Sequence, residues 1–260
     1  MGEAGDFFKK VKKHPDRFYI IHYSSQSLYD DGMGDGLSPS ITSIAVMHHS
    51  SRQTVTFAIH SIAEELGISK EEVESRYGEI EKEILERFYA FARDRREKYW
   101  VHWNMRNIVF GFEHLEHRYR ALAKKDPPAI PIEVRINLND IYRDRYGGDY
   151  ASDPNRMLNL MLLNGERDPR FLLGKEEAEA FKAKDFIRMH GSTISKVEFF
   201  RHTIVLALKG QLKTKGRGFL VRVDRVLEAR WTRVAGVISM AISLATAIVG
   251  GVALLLGKLS

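Results

Sequence analysis

The sequence predicts an α/β domain, a mixed five-stranded sheet flanked by helices, followed by a single C-terminal transmembrane helix. Three observations carry that reading. Short runs rich in aromatic and β-branched residues come three in succession near the start. Two further runs of this kind alternate with stretches of helical period, an order that adds crossovers to a meander. Near the end, residues 234–257 are 24 positions without a charge, against the roughly 20 that a helix needs to span hydrocarbon.

The elements follow in order. Residues 18–23, FYIIHY, read as a buried strand, and DDGMGDGLSPS after them is a turn by composition. Residues 41–47, ITSIAVM, form the second strand and residues 54–60, TVTFAIH, the third, with HHSSRQ turning between them. Ser69 with Glu72 three residues on makes a capping box, and Val73, Tyr77, Ile80, Ile84, Phe88 and Phe91 line one face of the helix that follows. YWVHW at 99–103 is the fourth strand. From Asn107 the pattern turns helical, with Ile108, Phe112, Leu115 and Tyr119 on one side until KKDPP stops it. IPIEVRI at 130–136 is the fifth strand, and helical stretches at 154–163, 175–185 and 193–212 complete the domain. Residues 1–17 read as a basic N-terminal extension, 18–212 as the domain and 213–233 as a basic juxtamembrane linker.

Composition narrows the class. With 260 residues and 44% apolar content the chain can build a sizeable core, and 28% charged residues exclude a mainly membrane-embedded protein. The absence of cysteine rules out disulfides and thiolate metal sites and fits a reducing compartment. No export signal stands in the N-terminal MGEAGDFFKKVKKHP. The net charge of +6 is carried by one window, 209–233, where eight lysines and arginines face Asp224 and Glu228. That basic window precedes the uncharged run, and Trp231 stands at the expected interface. By the positive-inside tendency the domain is cytoplasmic and the chain sits in the inner, cytoplasmic membrane. Ala235, Ser239, Ser243, Ala247 and Gly251 fall at successive i+4 positions, a small-residue stripe that suits close helix approach and a homo-oligomer.

The element order resembles the ribonuclease-H-like fold, and within it the 3′–5′ exonucleases of the DEDD type, over residues 18–211. The resemblance implies a D-x-E at the end of the first strand, a histidine–asparagine–aspartate box after the fourth, and a histidine with an aspartate five residues later opening the last helix. Those acids would hold two divalent metals that activate water and clamp a phosphodiester. Here Ser24 and Gln26 stand where the first two carboxylates would be, Asn107 takes the aspartate's place after His102, and Ser195 follows His190. Each replacement is polar and uncharged, and a hard cation needs anionic oxygens. The resemblance therefore implies a pseudo-exonuclease with no cofactor, its degenerate cleft lined by His102, Asn104, Asn107 and His190. Mg²⁺ or Mn²⁺ enters only if displaced acids such as Asp30, Asp31, Asp35, Glu113 or Glu198 rebuild a site.

Other constellations carry less. His48 and His49 are adjacent and point apart on a strand. His114 and His117 share a helix face with Glu113 nearby, yet no third ligand stands at diagnostic spacing, so a solvated face is expected. GMGDG lacks the lysine and flanking elements of a phosphate loop. Ser24, Ser25 and Ser192 have no nucleophile elbow around them. The basic and aromatic stretches FEHLEHRYRALAKK and FARDRREKYW carry balancing acids. The function expected is that of a membrane-anchored cytosolic binding or effector protein, with a prokaryotic defence role by architectural analogy. A nucleotide, a nucleic acid or a protein would occupy the cleft. Two alternatives stand beside it, a membrane-tethered metal-dependent nuclease and a structural scaffold.

Overall fold

Helix α1 (Glu3–Lys13) opens the chain, with Ala4, Phe7, Phe8 and Val11 recurring at i, i+3, i+4 and i+7, all buried. The computed structural model describes residues 2–26 and 38–215. The segment expected as a basic extension is thus an integral part of the domain. Phe7 meets Phe18 edge-on at 5.8 Å, and the Ala4 N–H donates to Asp144 at 2.8 Å. Its lysines occupy the solvent side.

Strands β1 (Phe18–Ser25), β2 (Ile41–His48) and β3 (Thr54–Ala58) form an antiparallel meander. On the other side of β1, β4 (Tyr99–His102) and then β5 (Arg135–Asn137) add in parallel, giving a mixed sheet of order β3-β2-β1-β4-β5. Phe18 and Ile20 of β1 share a core with α1, α5 (Leu138–Tyr146), α6 (Arg156–Asn164) and α8 (Phe186–Leu208). Ile21 and Tyr23, one residue out of phase, join the opposite core with α2 (Ile59–Glu65), α3 (Tyr77–Arg93) and α4 (Phe112–Ala123). Helices cover both faces, which is why β1 reads as a nearly unbroken apolar run. A buried ion pair ties the second layer: Glu81 of α3 accepts from Nε of Arg118 on α4 at 2.7 Å and from the Ile41 N–H at 3.0 Å.

Several boundaries differ from expectation. The third strand stops at Ala58, where α2 begins at once. Residues 70–76 are turns, although Glu72 does accept from the Ser69 N–H at 3.1 Å. The fifth strand shrinks to three residues because Pro131 offers no N–H and a 3₁₀ turn takes Ile132–Val134. Helix α5 was not anticipated, though Asn137 caps it by accepting from the Asn139 N–H at 3.2 Å. Helix α8 starts seven residues before the expected Thr193, capped by Asp185 accepting from the Arg188 N–H at 3.1 Å. Among the described residues no helix is long and apolar enough to cross a membrane. The expected span at 234–257, with Trp231, Ser239, Ser243, Ala247 and Gly251, lies outside them, as do Asp30, Asp31 and Asp35.

Candidate functional site

At the C-terminal end of β1 a cavity of about 800 Å³ opens between that strand, the turn before α4 and helix α7 (Gly174–Lys182). The strand's period of two puts His22 and Ser24 on the α8 side. His22 is buried between the rings of Phe110 and Phe200, at centroid distances of 5.7 and 5.8 Å. The Ser24 hydroxyl lies 2.8 Å from that of Thr193 and donates to Glu177 Oε1 at 3.1 Å. The same carboxylate oxygen accepts from the Ser192 hydroxyl at 3.0 Å and from the Lys196 ammonium at 2.7 Å. Ser43 of β2 closes the cluster, 2.7 Å from the Thr193 hydroxyl. Gln26 follows a bulge between Ser24 and Ser25, lines the cavity, and donates its N–H to the Ser40 carbonyl at 2.9 Å.

The far wall is the turn at 106–111, where helix was expected from Asn107. Asn107 instead folds its side chain back, with Oδ1 accepting from the N–H groups of Val109 and Phe110 at 2.9 Å each. At Gly111 an added Cβ would stand 2.5 Å from the Asn107 carbonyl oxygen and 2.7 Å from its nitrogen, so only glycine fits. The Gly111 N–H donates to the Tyr23 hydroxyl at 2.9 Å, which lies 2.9 Å from His114 Nδ1. His114 Nε2 lies 2.9 Å from the Pro39 carbonyl, which can only accept. Nε2 therefore carries the proton, Nδ1 is the acceptor, and the tyrosine donates to it. The face expected to be solvated is only half so: His117 is exposed, whereas His114 is wholly buried in this relay. Phe110 stacks on the Tyr23 ring at 4.5 Å and is thereby fixed at the cavity wall. Tyr23→Phe leaves one buried donor and one buried acceptor unpaired, so it should cost about 3 kcal/mol in urea unfolding. A loss under about 0.5 kcal/mol would mean that the relay holds nothing.

The residues expected in the cleft do not all meet there. Ser24 and Gln26 do. Asn107 is exposed and spent on its turn. His102 is buried below it, with Nδ1 accepting from the Met105 N–H at 3.2 Å. Burial, with Arg106 and Arg135 nearby, pushes its pKa down to about 3. Asn104, at φ 53°, belongs to a separate network, accepting from Asn139 Nδ2 at 3.0 Å and Arg106 at 3.2 Å. His190 and Ser195 lie five residues apart on one continuous helix, which turns them about 140° away from each other. His190 faces His60 at a ring distance of 5.0 Å, and Ser195 donates to the Ser192 carbonyl at 3.0 Å beside a smaller cavity. Glu113 and Glu198 are engaged by Arg135 and Arg170, at 2.6 and 2.5 Å.

Lys196, Glu177 and His22 carry the site and were missed. A signal existed. Met189, Thr193, Lys196, Phe200, Thr203 and Ala207 keep one helical period, which places a lysine on a buried stripe. Glu177 had none, being one acid among several in KEEAEAF. No three histidine, aspartate or glutamate side chains among the described residues come together as a metal-holding group. No family model and no curated protein matches the chain. What the site does must be read from its own chemistry: a preformed, largely apolar cavity of ligand size with one internal ion pair at its base.

Proposed function

We propose that this chain is a membrane-anchored binding protein whose ribonuclease-H-like domain is a pseudo-exonuclease, holding a ligand at the end of β1 without cutting it. Residues 234–257 form the anchor, and their small-residue stripe pairs copies into an oligomer. The fold reading is supported by the meander with two parallel strands added beside β1, as the element order implies. The observation that carries the functional reading is the Glu177–Lys196 ion pair beside Ser24. Where the resemblance implies acids around cations, a carboxylate here already takes three donors and a lysine supplies the positive charge. A divalent cation about 4 Å from that ammonium would be repelled by about 8 kcal/mol at an effective dielectric of 20.

Two experiments test this. The full-length protein, purified in detergent, should leave single- and double-stranded DNA and RNA intact with Mg²⁺ or Mn²⁺. Metal-dependent cleavage that is lost in Glu177→Gln, or in Glu113→Gln or Glu198→Gln, would overturn the reading and make the chain a tethered nuclease. Separately, the protein should sediment with membranes and resist extraction by salt and carbonate, and removal of residues 234–260 should release it. Full-length protein that stays soluble without detergent sinks the anchor.

A further inference from the structure

The base of the β1 cavity has polar groups with unused hydrogen-bonding capacity. Lys196 is 6% exposed, and its ammonium has three N–H donors. One goes to Glu177 Oε1 at 2.7 Å, the single hydrogen bond its side chain makes among the described residues. His22, 5% exposed, lines the same cavity, its Nδ1 has no partner among the described residues, and in the Nδ1–H tautomer that nitrogen is a donor. Burying such groups without partners costs about 1–3 kcal/mol each, a cost that a ligand oxygen would offset. The first turn of α7, Gly174 and Lys175, borders the cavity too, bringing the positive end of a nine-residue helix. Three lysines line the space, Lys175, Lys182 and Lys196, against Glu177 and Glu179. Ser24, Ser25 and Gln26 add polar groups at the strand end, while Val109, Ala178 and the ring of Phe110, held on Tyr23, give an apolar wall.

We infer that the cavity takes an oxyanion, a carboxylate or a phosphate monoester, carried on an aromatic body, with the anion at Lys196 and His22 and the ring against Phe110. This rests on the reading of the site as a binding cleft. Glu177 is then a positioning residue that holds the ammonium at the cavity floor, with the Phe171 ring 5.4 Å from it, and the donors that Glu177 does not take are left for the ligand.

The test uses the full chain in lipid nanodiscs, with empty nanodiscs as the control, and three probes of one shape: 1-naphthyl phosphate, 1-naphthoate and 1-naphthalenemethanol. Calorimetric titration should give dissociation constants below about 1 mM for the anions and at least about tenfold weaker binding of the alcohol. Lys196→Met should erase that preference, and Phe110→Ala should weaken all three probes alike. Because Lys196→Met strands Glu177, the double variant Glu177→Gln with Lys196→Met removes the pair as a unit and should also lose the preference. A tighter phosphate assigns a monoester, a tighter naphthoate a carboxylate. Anions and alcohol binding alike, no binding at all, or an unchanged preference in both Lys196 variants overturns the inference. Failure here in a protein that cleaves nothing leaves the pseudo-exonuclease reading standing. Cleavage by a protein that binds the anions sinks that reading alone.

Discussion

Acidification from pH 7 to pH 5 should strip the domain of most of its stability, before its carboxylates begin to protonate. Six histidines, His22, His49, His60, His102, His114 and His190, have pKa values held below the ordinary 6.5, in every case first by burial. His49, His114 and His190 fall to about 4 and His102 to about 3. For a base whose folded pKa is depressed, the unfolded chain binds the proton first. Stability is therefore fully present above pH 6.5 and is lost as pH falls toward the folded values. At pH 5 each of those four costs about 2 kcal/mol, so together they remove about 8 kcal/mol of the 5–15 typical of a domain. Circular dichroism against pH, with urea unfolding at each step, measures the slope. It should exceed three protons taken up per unfolding event between pH 6 and pH 5, and a flat profile there would refute the assignment of these histidines as neutral.

Arg118→Met should destabilise the domain by about 3–5 kcal/mol, the largest single-residue loss expected here. Glu81 is fully buried and accepts from Arg118 Nε at 2.7 Å, and Arg118 also donates to the Ser38 carbonyl at 3.1 Å. Methionine fills much the same volume but leaves an uncompensated carboxylate between α3 and α4. Glu81→Gln with Arg118→Met removes both charges, so it should recover a large part of the loss. Equilibrium unfolding of the two variants decides it, and a double variant no better than the single would assign the cost to packing instead of charge.

The five-strand order was legible because both periods were clean: the alternation of Phe18, Ile20, Ile21 and Tyr23 between two cores, and Ile80, Ile84 and Phe88 on one helix face. Boundaries were not, where a turn chemistry competes with a helical pattern. Asn107 prefers to cap its own loop, and Pro131 removes a ladder donor. The short α2 and α5 carry too few turns to declare a period. At the site, Ser24 and Gln26 could be placed because strand ends fix their face. Ser195 could not, since its direction depends on where α8 starts. The Glu177–Lys196 pair joins consecutive helices through residues nineteen apart, and no local pattern encodes such a meeting.

Helix α8 lies across the middle of the sheet, its Phe200 and Ile204 sharing a core with Ile20, Ala45 and Met47. It is also the last helix of the described chain to be synthesised. Until it arrives, one side of a finished meander stays wet and adhesive, whatever the other layer has achieved. During translation the nascent domain must therefore wait, with α1 already available but its main lid missing, and that interval is when chaperones would engage it. The same helix ends at Leu208, just ahead of the basic window, so closure of the sheet and emergence of the uncharged run follow each other in time.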